Sequence, residues 1–293
     1  MGAKADGVVH CACGNRHWGH AGAAGVLAWE NPTDPAIILQ LRAPWSMSGG
    51  TWGIPGGAID FDESPIEGAL REAKEEAGMG PVRVWTATKL HHPDWSYTTI
   101  IAEASAGQKA VVTDHESDAM EWVSWRDLRG KDLMPAFEQS LPLLDQLLGR
   151  SLIVIDKNVL PEGWEEALLK RTTFGFSLDA MAPSRAEKIE LALSRSRDGD
   201  CPRTITWFPD IVIVGDGPLL KPHAVRGALP ATIHYCSEKR DVPIDGYDSI
   251  TTVGVSLPGS KALDPNRFTD ALFSPIADDL TIMTSPGTQQ STD

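Results

Sequence analysis

The sequence predicts an α/β protein: an α/β/α sandwich in the N-terminal half, then a second α/β domain with a parallel sheet. Three observations carry this. Two apolar, β-prone runs, Ala23 to Glu30 and Ala36 to Arg42, flank the turn cluster Asn31-Pro32-Thr33-Asp34-Pro35. A helix bounded by strong caps follows them. Beyond residue 149, short apolar strands alternate with helical patterns, which argues for a parallel layer. The 293 residues allow two domains at roughly 150 residues each. The expected division is an arm at 1–16, a domain at 17–148, a second domain at 149–282 and a disordered tail at 283–293, which ends in the polar run Gly287 to Asp293.

The elements follow in order. After the two strands, Ala43 to Pro55 is a glycine-rich loop of the kind that lets backbone approach a ligand closely. Ser64 is placed to cap a helix, Pro65 suits its first position, Glu67 completes a capping box, and Gly78 can take the left-handed conformation that stops it. Val82 to Leu90 and Tyr97 to Ala104 read as strands joined by the loop His91 to Ser96. Glu121 to Trp125 reads as a further strand and Pro135 to Leu148 as an amphipathic helix. In the second half, strands are expected at Leu152 to Asp156 and Ile211 to Asp216, each ending in an aspartate, and at Thr232 to Cys236 and Ser249 to Ser256, with helices near Glu162 to Arg171 and Ser184 to Arg195.

The capped helix carries the chemistry. Glu72, Glu75 and Glu76 are spaced i, i+3, i+4 and so share one face, where like charges repel. A hard divalent cation, Mg²⁺ or Mn²⁺, relieves that repulsion through carboxylate oxygens, water and substrate phosphates. Arg71 stands beside the first acid and can orient the group. The plain alternative is a solvated acidic face; the caps and the preceding Gly56-Gly57 turn weigh against it.

Gly57, Glu63, Arg71-Glu72, Glu75-Glu76 and Gly78-Met79, at these intervals, resemble the Nudix box. Every fixed position matches, and the soft departure is Ala73, small where a larger aliphatic is usual. The resemblance spans about residues 17–147 and leaves the C-terminal half outside. It implies a mixed-sheet α/β/α sandwich. It also implies Mg²⁺-dependent hydrolysis of a nucleoside diphosphate linked to another group, such as ADP-ribose or an oxidised dNTP, by water attack on phosphorus. By the same resemblance Gly57, Glu72, Glu75 and Glu76 are the metal ligands, Arg71 orients them, and Glu63 braces the loop or an outer metal. Glu116 is the candidate general base, against an ordinary acidic loop. Arg42, Trp45 and Trp95 are candidate substrate contacts, Trp95 as a platform for a base, while Trp52 reads as structural. Pro93 stands near the position linked in the family to ADP-ribose selectivity.

The net charge of −14, with more acids than bases in both halves, disfavours a nucleic-acid surface. No signal peptide or membrane-length apolar run is present, and four cysteines make no disulfide framework, so a cytoplasmic protein is expected. A homodimer is left open. Two other functions are carried: a nucleotide sensor whose C-terminal half is the effector, and a bifunctional protein. The second rests on Val154 to Val159, whose Asp156 faintly resembles the start of PIN/NYN nuclease domains. Cys11, Cys13, His17 and His20 offer a zinc set, but C-x-C is tighter than the usual spacer of about two to four residues and no second cysteine pair follows nearby. The arm is therefore read as packing against the domain.

Overall fold

In a computed structural model, which describes residues 5–177, 188–193 and 201–276, the chain forms an α/β fold with two large sheets. The strands are β1 (Val8–His10), β2 (Arg16–Trp18), β3 (Ala23–Glu30), β4 (Ala36–Arg42), β5 (Trp52–Gly53), β6 (Gly56–Ala58), β7 (Val82–His91), β8 (Ser96–Glu103) and β9 (Ser117–Ser124) in the first half. They continue as β10 (Ser151–Asp156), β11 (Phe176–Ser177), β12 (Arg203–Trp207), β13 (Asp210–Val214), β14 (Ala228–Leu229), β15 (Ile233–Cys236), β16 (Ser249–Val253) and β17 (Lys261–Leu263). The helices are α1 (Pro65–Ala77), α2 (Pro135–Leu147), α3 (Trp164–Phe174), α4 at 188–193 and α5 (Pro265–Phe273).

The first sheet is mixed. β3 runs parallel to β8 and antiparallel to β4, and β7 pairs antiparallel with β8. Its central strands are buried on both faces: Val26, Leu27 and Ala28 are fully enclosed, so alternation of polar and apolar residues is absent and the run is continuously apolar. α1 packs on one face through Ile66, Ala69, Ala73 and Ala77. The small Ala73 is fully buried there, which explains why a larger aliphatic is not needed. α2 packs on the other face with Phe137, Leu143, Leu144 and Leu147.

The caps of α1 form as the sequence predicts. Ser64 Oγ accepts from Glu67 N–H at 3.3 Å, and Glu67 Oε2 accepts from Ser64 N–H at 3.0 Å. Gly78 ends the helix at φ 58°. Replacing Ser64 by alanine is expected to cost about 1 kcal/mol in urea unfolding, because it removes the acceptor for an otherwise orphaned helix N–H.

The second sheet is wholly parallel, in the order β15-β13-β10-β16-β17. The first strand in the chain sits at the centre and the connections leave it in both directions, the doubly wound arrangement. Strict helix–strand alternation does not hold: the chain between β13 and β15 carries β14, which leaves this sheet to pair with β7. α3 begins at Trp164 rather than Glu162, because Gly163 adopts φ 79° and starts the turn. The helix expected from Ser184 to Arg195 is seen at 188–193; its remainder lies outside the described residues, as does the 283–293 tail. Asp216 lies two residues past the end of β13, and Asp156 Oδ1 accepts from Asn158 N and Nδ2, both at 2.9 Å, which is a capping role.

The two halves share a core. β12 extends the first sheet by pairing antiparallel with β7 in the register Ile205↔Thr88, and β11 pairs with β12. One continuous apolar cluster contains Leu27, Trp85 and Leu147 from the first half and Ile153, Trp207 and Ile213 from the second. Among the described residues no helix is long and apolar enough to cross a membrane.

Candidate active site

β3 and β6 pair antiparallel, which brings Gly57 opposite Ala24 and sets the loop before α1 against the sheet. A Cβ on Gly57 would stand 2.6 Å from Glu72 Oε2, so a side chain there would displace that carboxylate. The missing Cβ is what lets backbone lie against that carboxylate.

Arg71 lies at the hub of the acids. Its Nε donates to Glu63 Oε1 at 2.8 Å and Nη2 to Glu63 Oε2 at 3.0 Å, while Nη1 donates to Glu72 Oε1 at 2.6 Å and Nη2 to Ala58 O at 2.9 Å. Glu75 is reached more loosely, at 3.4 Å, with its side chain 63% exposed. Burial works against the guanidinium charge, but the hydrogen bonds and charges of Glu63 and Glu72 outweigh it and hold Arg71 protonated. Glu63 is buried and does not face the cleft; it fixes Arg71 and accepts from Asp60 N–H at 3.3 Å. These contacts tie Glu63 to Arg71 and to the loop before α1.

Glu76 differs from its neighbours. It is 5% exposed, and its Oε2 accepts from Gly56 N–H at 2.7 Å. Burial pushes its carboxyl up to about 7, Gly56 and Gln40 oppose this with hydrogen bonds, and the charges of Glu72 and Asp114 add to it. Burial raises Glu72 as well, opposed by Arg71. No protein cation offsets Glu76 among the causes of its shift. Loss of hydration keeps the nearby Tyr97 hydroxyl protonated, and the Glu76 charge adds to that.

Gln40, Asp114 and Tyr97 therefore belong around the buried acid, and the sequence reading passed over them. Gln40 is a lone amide inside the apolar run of β4; its Nε2 donates to Ser117 Oγ at 2.8 Å, and Ser117 Oγ donates to Asp114 Oδ1 at 2.7 Å. A fully buried glutamine in such a run is the signal that could have been read.

Gly57, Glu72, Glu75 and Glu76 line one cleft of about 1640 Å³, together with Arg42, Trp45, Trp95, Asp114 and Glu116. Its size exceeds the roughly 300–1,000 Å³ of ordinary small-molecule sites. The C-terminal half supplies part of the wall through Cys201, Pro202 and Arg203, and Arg203 Nη2 donates to Ser140 Oγ of α2 at 3.1 Å. Arg42 donates from Nε to Met47 O at 2.9 Å, and Trp45 is 69% exposed. Trp95 is not an open platform on both faces: the His17 ring stacks on it at 4.2 Å, and its Nε1 donates to Trp18 O at 3.0 Å. Trp52 lies under the Lys131 ammonium at 4.1 Å, consistent with packing.

The glutamates fit a hard divalent cation by their chemistry: an all-oxygen donor set, with one buried acid that no protein cation neutralises. Their ligand atoms do not gather within 4.8 Å of one another; among the described residues that spacing is met by Cys11, Cys13 and His17. Arg71 holds Glu72 and Glu75, while Gly56 holds Glu76.

The chain is similar to known proteins over its first half. The NUDIX domain family matches residues 19–145. A nucleoside triphosphate pyrophosphatase/Nudix hydrolase fusion protein of Bifidobacterium longum is 42% identical over 145 residues, covering 47% of this chain and 30% of that protein. A putative 8-oxo-dGTP diphosphatase 3 of Mycobacterium tuberculosis is 41% identical over 145 residues, covering 46% of this chain and 66% of its own length. The crystal structure of RenU, a Nudix hydrolase from M. smegmatis, is 38% identical, covers 48% of this chain and 93% of its own, and superposes with a TM-score of 0.44. The chain thus spans less than two thirds of the length of these curated relatives.

Proposed function

The chain belongs to the Nudix hydrolase family through residues 19–145, and on that premise we propose that it hydrolyses the phosphoric anhydride of a nucleoside triphosphate with a damaged purine base. The observation that carries the reaction is Glu76: a buried, uncompensated acid on the same cleft as Glu72, Glu75 and Gly57. The names of the relatives in B. longum and M. tuberculosis support triphosphates ahead of ADP-ribose.

Glu72, Glu75, Glu76 and the Gly57 carbonyl would hold Mg²⁺ or Mn²⁺. A cation bound there neutralises charge developing on the phosphate oxygens and acidifies a nearby water. Arg71 keeps Glu72 turned to the cleft and is itself clamped by Glu63, so its guanidinium is a fixed strut rather than a substrate ligand. Glu116 takes the proton from the attacking water. It lines the cleft and is exposed, whereas Asp114 is engaged by Ser117. Trp45 from the glycine-rich loop and Arg42 from the end of β4 face the base and phosphates. The C-terminal half closes the cleft's far wall and holds α2 in place through Arg203.

The test is a panel of dNTPs, 8-oxo-dGTP, ADP-ribose and dinucleoside polyphosphates with Mg²⁺ or Mn²⁺, reading out pyrophosphate, phosphate and monophosphate by chromatography. The expected result is pyrophosphate plus monophosphate, with the oxidised purine preferred over dGTP by at least about tenfold in kcat/KM. Release of AMP and ribose phosphate from ADP-ribose alone would overturn the substrate; no turnover of any member would overturn the activity.

A further inference from the structure

The hydrolytic site leaves one chemically reactive cluster unused. β1 and β2 are joined by Cys11-Ala12-Cys13-Gly14-Asn15, closed tightly by Gly14 N–H to Cys11 O at 3.0 Å and Cys11 N–H to Asn15 O at 3.1 Å. Gly14 takes φ 86°, the left-handed turn that glycine allows at no cost. One sulfur from each cysteine and a ring nitrogen of His17 all lie within 4.8 Å of one another, and Cys13 Sγ is 3.2 Å from His17 Nε2. With bonds of about 2.3 Å to sulfur and 2.0–2.1 Å to nitrogen, the edges of a tetrahedral zinc site measure roughly 3.5–3.8 Å. The cluster is within about half an ångström of that along its Cys13–His17 edge.

The surroundings are those of a ligand set. Cys11 and Cys13 are both free thiols, and Cys11 is buried. Asn15 Nδ2 donates to Cys13 Sγ at 3.7 Å, the type of amide contact that supports a thiolate. His17 is held in orientation by Trp95, whose ring lies 8° from parallel to it. The His92 ring stands 4.5 Å from that of His17, and His92 Nδ1 lies 3.4 Å from Cys201 Sγ. His20 is not in the group; its ring packs over Gly7 instead.

We propose that Cys11, Cys13 and His17 bind a zinc ion. Two thiolates and an imidazole select zinc over the hard cations that suit the glutamates, so the two metal sites do not compete. The ion ties the β1–β2 turn to the His17–Trp95 stack. That turn is also anchored by Ala12 N–H to Asp94 Oδ2 at 2.7 Å, and Cys13, His17 and Trp18 all line the substrate cleft. The zinc therefore has a positioning role in the cleft wall, opposite the glutamates in chemistry and independent of their turnover.

The test measures metal in the full chain after passage through a metal-free column. The expected content is about one zinc per chain. It is kept by His20→Ala and by the Glu72→Gln/Glu76→Gln double variant, and lost by Cys11→Ser/Cys13→Ser. Because the cysteine variant can fail to fold, the unmodified chain is also loaded with Co²⁺. A thiolate-to-cobalt absorption that disappears after thiol alkylation is the expected result. Folded chain with neither zinc nor that absorption overturns the proposal, as does zinc whose content follows the glutamates rather than the cysteines.

Discussion

Glu76→Gln is expected to lower turnover by about 10³-fold and, at pH 8 without divalent metal, to make the protein more stable. Both effects come from the same burial. In the folded chain the carboxyl titrates near 7, against an ordinary 4.5. Between those values the folded state holds a proton that the unfolded chain has released. Stability therefore falls as pH rises from about 4.5 to 7 and is level above that. The full difference corresponds to roughly 3 kcal/mol at pH 8. Glutamine keeps an acceptor for Gly56 N–H and carries no charge, so it removes most of that penalty. At pH 5, where Glu76 is already neutral, the substitution should change little. The measurement is thermal or urea unfolding of both proteins at pH 5 and 8, with chelator, beside an activity assay. The same linkage requires Mg²⁺ binding below pH 7 to release a proton and to tighten as pH rises. A variant that is less stable than the parent at pH 8, or that still turns over, would show that Glu76 is an ordinary core acid.

The sequence makes this site legible to different depths. α1 could be read almost atom by atom, because its signals are local: Ser64, Glu67 and Gly78 act on backbone within four residues, and a fixed helical period places the glutamates on one face. β3 and β4 were equally legible, since an apolar run closed by Asn31 to Pro35 leaves little choice of ends. What makes Glu76 unusual was not legible. Its high carboxyl value comes from burial, with the charges of Glu72 and Asp114 adding to it and the hydrogen bonds of Gly56 and Gln40 opposing it, and only the folded sheet brings Gln40 on β4 and Asp114 before β9 to the helix. The C-terminal half shows the same limit. Arg203 to Trp207 alternates threonine with large apolar residues, a strand signal in itself, but nothing local says that its partner is β7, more than a hundred residues earlier. The cysteine turn was discounted on its C-x-C spacing, yet a glycine turn at Gly14 brings both sulfurs near His17.

Asp210→Ala is expected to cost about 3–5 kcal/mol of stability. Arg83 on β7 donates from Nη2 to Asp210 Oδ1 at 2.9 Å and to Phe208 O at 2.7 Å, with both side chains nearly enclosed. Burial lowers Arg83 and the charge of Asp210 opposes it, so the aspartate is what makes the buried guanidinium tolerable. Asp210 also accepts from Tyr247 Oη at 3.0 Å and from Thr232 N–H at 2.8 Å. Tyr247 stands edge-on to Trp85 at 6.4 Å, and Arg83 lies over that same ring at 4.2 Å. One carboxylate thus satisfies three donors where the mixed sheet meets the parallel sheet. Alanine leaves Tyr247 and Thr232 without their acceptor and the buried Arg83 without its counter-charge, whereas a paired replacement, Arg83→Met with Asp210→Leu, removes the charge and its partner together and should recover the part of the loss that Arg83 causes. The coupling is measured by urea unfolding across the double-mutant cycle. Because the apolar core is continuous from Leu27 to Ile213, the parent should unfold in one transition by fluorescence and by circular dichroism. A loss under about 1 kcal/mol for Asp210→Ala, or separate transitions for the two sheets in the parent, would mean that the halves fold apart and that the seam only touches.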